Sequence, residues 1–173
     1  GEAIEKFMRG LSQEKVLSDI IFRMKAMCPE DRDRTLIHLR KICHGQPSER
    51  ALLSWDEVHE MFDSRLIAFG SHTVNHTLLD QVAPDIMHRE ISVSGLMLRR
   101  DLGAADLVFA YPNGNYTHDV ATAVQDNGYV GAVTTVRGFV GKKVDLFQLP
   151  RIGMHEDISS SAASFLFRLL TGR

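Results

Sequence analysis

Eight histidines occur in the 173-residue sequence, and two of them, His72 and His76, stand four apart in Gly70-Ser71-His72-Thr73-Val74-Asn75-His76. The stretch follows the apolar run Leu66-Ile67-Ala68-Phe69-Gly70. One helical turn or a tight loop at that spacing aims both imidazoles at one point. Zinc sites commonly combine His nitrogens with a carboxylate and keep one position open for water. The pattern does not decide by itself, because His72 capping a strand and His76 facing solvent would read identically.

Two further segments carry reactive groups. Phe109-Ala110-Tyr111-Pro112-Asn113-Gly114 is an apolar strand ending in a Pro-Asn-Gly turn, which can present the Asn113 N–H to a developing oxyanion and is equally an ordinary β-to-α turn. Leu149-Pro150-Arg151-Ile152-Gly153-Met154-His155-Glu156-Asp157 is another apolar strand followed by a cation, a histidine and two acids. His155 near Asp157 fits a general acid oriented by a carboxylate, or a surface histidine at a helix start.

The elements that must position these groups are legible from periodicity. Residues 3–44 read as helical, with Ile4, Phe7, Met8, Leu11 and then Val16, Ile20, Ile21, Met24 at helical spacing, divided by Pro29. Asp31 and Asp33 lie in this polar, helix-forming stretch. A loop follows over 44–48, where Gly45 and Pro47 end the helix. Ser54 with Glu57 three residues on makes a capping box for a short helix. A strand buried on both faces is expected over 66–70, a helix from Pro84 to Leu102, and strands over 107–111, 131–136 and 147–152. Helices over 117–127 and 159–170 complete the pattern. Strands alternating with helices indicate an α/β protein with a mostly parallel sheet, whose reactive groups gather at carboxyl ends of strands.

Composition narrows the alternatives. Twenty Lys and Arg against twenty-two Asp and Glu leave a net charge of −2, so no basic excess offers itself to nucleic acid. No apolar run approaches the roughly 18 to 20 residues of a membrane span. Cys28 and Cys43 lack the C-x-x-C spacing of a thiolate zinc site.

Taken together and in this order, the three strand-end segments resemble the polysaccharide deacetylases of the NodB-homology type, carbohydrate esterase family four. Trp55-Asp56-Glu57-Val58 through His76 is similar to the stretch leading into the family's second motif, where two histidines bind the metal. Residues 109–114 look like the third motif, which walls the substrate groove and donates the oxyanion-hole amide. Gly128-Tyr129 through Val133-Thr134-Thr135, and Leu149-Pro150-Arg151-Ile152, fit the tail of the domain, so the resemblance covers residues 50–170.

This resemblance implies a distorted (β/α) barrel carrying a divalent metal, usually zinc, held by His-His-Asp. In the family, metal-bound water attacks the acetamide carbonyl of an N-acetylated sugar while an aspartate acts as base and a histidine as acid. Carried onto this sequence, His72 and His76 become metal ligands, Tyr111, Pro112 and Asn113 the oxyanion and substrate corner, and His155 the acid. The family's first motif, two adjacent aspartates, has no counterpart, because no Asp-Asp pair occurs. Relatives carry Arg at the position of Ala110, where it orients the base, and Tyr at that of Asn113; Arg151 is expected to occupy the space of the missing Arg.

The expected architecture is therefore an incomplete distorted (β/α) barrel with additional N-terminal helices, a helical segment over 1–48 and the C-terminal part of a deacetylase-like domain over 49–173. The expected function is metal-dependent removal of N-acetyl or O-acetyl groups from a polysaccharide by the complete domain, with this chain alone inactive. The alternative is a non-catalytic carbohydrate-binding module, with Tyr111, Tyr116 and Phe139 stacking on sugar faces or serving as core. Relatives act on cell-envelope or secreted glycans. An incomplete barrel leaves a sheet edge with unpaired N–H and C=O groups, which predicts a homo-oligomer or edges covered by the N-terminal helices.

Overall fold

The computed structural model describes residues 13–25, 27–43, 50 and 52–172. The helical spacing read at Ile4, Phe7, Met8 and Leu11, and the loop over 44–48, lie outside the described residues. The chain divides into two compact units, Gly1–Ala51 and Leu52–Arg173.

In the first unit, helix α1 spans Gln13–Lys25 and α2 spans Pro29–Cys43. Glu30 and Asp31 sit in the first turn of α2 and Arg40 and Lys41 in its last, the arrangement that complements the helix dipole. The Asp31 carboxylate is engaged by Arg34 one turn on. Cys28 is a free, exposed thiol.

The second unit opens with α3, Trp55–Asp63, held by the expected capping box: Ser54 Oγ accepts from Glu57 N at 3.3 Å, and the Glu57 carboxylate accepts from Ser54 N at 2.7 Å. A 3₁₀ turn at Leu79–Gln81 precedes α4, Pro84–Leu102, which begins at Pro84 and is followed by Gly103 as expected. Its buried residues Met87, Glu90, Ile91, Ser94 and Gly95 stand three or four apart along one face, with Leu102 about two turns further on, the stripe a helix lays on a core. Then come β1, Val108–Ala110; α5, His118–Asp126; β2, Gly131–Arg137; and β3, Leu149–Arg151. All three strands are parallel in the order β1-β2-β3, with Ala110 opposite Val133 and Val133 opposite Leu149.

The core lies where α4, α5 and the sheet meet. Leu107, Phe109, Tyr111, Ile91, Val124 and Ala132 are inaccessible to solvent. Phe109 meets Tyr111 and Tyr129 edge-on, with centroids 5.5 and 5.2 Å away, the aromatic arrangement favoured by ring quadrupoles.

Two expectations are corrected. The run 66–70 is not a strand: Leu66 is 87% exposed, and pairing with β1 is confined to a single bridge between Ser71 and Phe109. Burial on both faces requires packed cover on each, which the exposed Leu66 and Ile67 lack, and among the described residues no strand pairs with 66–70. The three strands form an open parallel sheet that does not close into a barrel, since closure requires a complete ring of tilted neighbours. Second, the helix expected over 159–170 starts later, as α7 at Ala162–Thr171, and a separate short helix, α6 at Glu156–Ser159, precedes it. Ser161 and Ser164 exchange side-chain to backbone hydrogen bonds at 3.1 Å, and this capping box restarts the helix.

Candidate active site

The approach to the histidines depends on Gly70. A Cβ there would fall 2.7 Å from the carbonyl oxygen of Val108, so only glycine lets the chain lie this close to β1. Ser71 N then donates to Val108 O at 2.9 Å, and Ala110 N donates to Ser71 O at 2.8 Å. The buried Ser71 hydroxyl donates to Ser94 Oγ on α4 at 2.7 Å. His72 is thus launched from a fixed point beside the carboxyl end of β1.

Its ring is oriented as well. His72 Nδ1 lies 2.6 Å from Ala110 O. A carbonyl can only accept, so Nδ1 carries a proton, and in the neutral ring Nε2 is then the nitrogen with the lone pair, the arrangement by which a backbone carbonyl fixes the tautomer of a ligating histidine. The loop then turns through left-handed φ at Thr73 (65°) and His76 (56°). Thr73 Oγ1 accepts from Thr77 N at 3.2 Å, closing the turn. The His72 and His76 ring centroids come to 4.8 Å, with planes at 83°.

Two imidazoles with nitrogens about 2 Å from one tetrahedral ion have ring centres roughly 5 Å apart, a separation that the His72 and His76 rings match. Among the described residues, no group of three or more His, Cys, Asp or Glu side chains is placed to hold a metal ion. The described residues therefore supply two donors and no carboxylate to join them. Beside His72 lies a concavity of about 300 Å³ walled by Trp55, Ser71, Thr73, Met97 and Leu98.

The corner after β1 is tightly built. Pro112–Gly114 forms a 3₁₀ turn with Asn113 at φ 56°, ψ 0°, and Thr135 Oγ1 donates to Asn113 O at 3.1 Å. Asn113 is exposed, whereas Tyr111 and Pro112 are buried. The Tyr111 hydroxyl donates to Phe147 O at 2.9 Å, and its ring stacks on Tyr116 with centroids 4.9 Å apart. Burial, reinforced by Tyr116 and Asp145, drives its ionisation far above the usual phenol range. The Tyr111 ring is therefore core, and this segment meets solvent through Asn113 and the partly covered Tyr116.

Arg151 and His155 share a different concavity, of about 460 Å³, with Thr135, Arg137, Met154 and Arg168. Arg151 Nε donates to Thr134 O at 2.6 Å, and His155 stands at the N-cap of α6. The structure thus joins His72 to His76 and to the residue leading into the Asn113 corner, and groups Arg151 with His155 on β3 and its following loop.

Sequence reasoning passed over Glu90 and Ser94. Both are polar positions inside the apolar stripe of α4, and a buried carboxylate at such a position requires partners. The Glu90 carboxylate accepts from Val74 N and Asn75 N at 2.9 Å each, and from Asn75 Nδ2 at 2.7 Å.

Comparison with known proteins gives this geometry a context. The polysaccharide deacetylase family model matches residues 33–132, from within α2 into β2. The Bacillus subtilis (strain 168) protein YxkH, which carries that family's name, is 26% identical over 96 residues, 56% of this chain and 34% of YxkH. The structure of Streptococcus pyogenes deacetylase PplD, in complex with acetate, matches with a TM-score of 0.62 and 27% identity, over 75% of this chain and 54% of PplD. That of BC0361, a polysaccharide deacetylase from Bacillus cereus, matches with a TM-score of 0.52 and 29% identity, over 57% of this chain and 31% of BC0361. The chain spans about half the length of PplD and a third of YxkH. With an α/β fold similar to these enzymes and a family match over more than half its length, the chain belongs to the polysaccharide deacetylase family of hydrolases and carries part of a NodB-type domain.

Proposed function

We propose that the complete domain removes N-acetyl or O-acetyl groups from a polysaccharide in a metal-dependent hydrolysis, and that this chain alone is inactive. The observation that carries the reading is the His72 and His76 pair, with centroids 4.8 Å apart and the Nδ1 of His72 held on Ala110 O. His72 and His76 would hold a divalent ion, zinc by the chemistry of neutral imidazole donors. The chemistry supplied by such an ion is polarisation of the acetyl carbonyl and activation of water near neutral pH.

The chain's own residues take the remaining roles. The exposed Asn113 corner presents its N–H to the oxygen of the reacting carbonyl, with Tyr111 and Pro112 fixing the corner from beneath. His155 delivers a proton to the leaving amine, and Arg151 orients the base. That base, and the third ligand, would be carboxylates, which the described residues do not group with the histidines. In domain terms, 1–48 is a helical segment and 49–173 the deacetylase part. With β1 and β3 at the edges of the open three-stranded sheet, association between copies is favoured, so light scattering is expected to show a concentration-dependent mass above that of the monomer.

The test is acetate release from an N-acetylated chitooligosaccharide, with zinc present. The 173-residue chain is expected to release none, and zinc is expected to shift the imidazole resonances of His72 and His76 together. Metal-dependent acetate release would refute the inactivity. Zinc-insensitive imidazoles would refute the ligand assignment.

A further inference from the structure

The Glu90 carboxylate is 3% exposed, and its hydrogen bonds all come from two adjacent residues of the histidine loop: Val74 N and Asn75 N to Oε2, each at 2.9 Å, and Asn75 Nδ2 to Oε1 at 2.7 Å. No Lys, Arg or His pairs with it among the described residues. A buried carboxylate is tolerated only when donors satisfy it, and here the donors are the chain between the two histidines. Successive N–H groups turned toward one oxygen form an anion cradle, and Glu90 fills this one from within the protein.

The backbone on either side explains why such a clamp is needed. Thr73 (φ 65°) and His76 (φ 56°) both occupy the left-handed region, which costs an L-residue conformational energy and persists only where surrounding contacts over-determine it. These two residues bracket the two amides that Glu90 binds. Glu90 itself rides on α4, whose Met87 and Ile91 are anchored in the core, so the clamp is as rigid as the sheet packing. Four residues on, Ser94 tethers Ser71 at the other end of the loop.

We infer that Glu90 is a positioning residue for the histidine pair: its carboxylate binds the 74–75 amides and thereby holds Thr73 and His76 in the conformations that bring the His76 ring to His72. The inference rests on the reading that His72 and His76 act as a pair. It assigns to α4 the work of setting their separation.

The test is NMR on the full chain without metal. Wild-type protein is expected to show ring-to-ring cross-relaxation between His72 and His76 and slow hydrogen exchange at the Val74 and Asn75 amides. Glu90→Gln, isosteric but lacking the second acceptor oxygen, is expected to lose the ring contact and to exchange those two amides at least about tenfold faster. Ser94→Ala, which cuts the other tether, is expected to keep both signatures even where it lowers the melting temperature. Retention of the ring contact and slow exchange in Glu90→Gln, or equal loss in Ser94→Ala, would overturn the inference. If Glu90→Gln does not fold, Asn75→Ala decides: faster exchange at Val74 with a weakened ring contact supports the clamp, and unchanged signatures refute it. A zinc titration on the same samples separates the two ideas, since absence of zinc shifts in wild-type protein defeats the metal reading while the metal-free data still judge Glu90.

Discussion

His72 Nδ1 and the carbonyl oxygen of Ala110 lie 2.6 Å apart, and this contact, beside the Ser71 backbone hydrogen bonds with Val108 and Ala110, joins the histidine loop to the strand that leads into the Asn113 corner. Because the carbonyl accepts, His72 Nδ1 is expected to carry a proton, and nitrogen-15 NMR of the neutral ring should show the Nδ1–H tautomer. His72→Ala is expected to weaken zinc binding at least about tenfold, measured by calorimetry; unchanged affinity would remove His72 from the ligand set.

Gly114 fixes the corner itself. Its φ is +81°, and a Cβ would lie 2.1 Å from Thr135 Oγ1, so Gly114→Ala meets both backbone strain and a clash with β2. The expected loss is more than about 1 kcal/mol of folding stability, read from urea unfolding.

Phe109 reports on the core that supports both motifs. It is inaccessible and touches Tyr111 and Tyr129, so Phe109→Ala should cost about 3 to 5 kcal/mol, a loss that unfolds many domains of this size. Tyr129→Phe removes only the hydroxyl that donates to Ile91 O at 2.9 Å, and should cost about 1 kcal/mol.

His59 gives the fold a pH dependence. Its Nε2 meets Asp101 O at 2.9 Å, and that hydrogen bond, followed in effect by one to the Trp55 carbonyl and by the charges of Asp63 and Asp101, raises its pKa above the ordinary 6.5 against a desolvation effect of opposite sign. A raised folded-state pKa means that the folded protein holds the proton more tightly than the unfolded chain. The stabilisation is therefore fully present below pH 6.5 and is lost as the pH rises through the folded-state value. Melting temperature in wild-type protein should fall across that interval, and His59→Gln should flatten the fall. An identical slope in both proteins would assign it to other groups.

Local rules were enough for much of the fold. Ser54 and Glu57 announce their capping box, Pro84 and Gly103 bracket α4, and the apolar run through Phe109 forms a strand, because caps and periodicity act within a few residues of chain. The spacing of His72 and His76 singled them out as candidates, and the resemblance of the three strand-end segments to the deacetylases read them as a pair. Sequence could not show that 66–70 fails to become a strand, because strand formation depends on a partner edge supplied from far away in the chain. It also could not choose between core and sugar platform for Tyr111, since an aromatic side chain at a strand end suits either. Tertiary structure decided that by giving its hydroxyl to Phe147 O. It also brought Glu90, fourteen residues beyond His76, back against Val74 and Asn75, a juxtaposition that exists only once α4 packs on the sheet and turns its one buried carboxylate toward the loop.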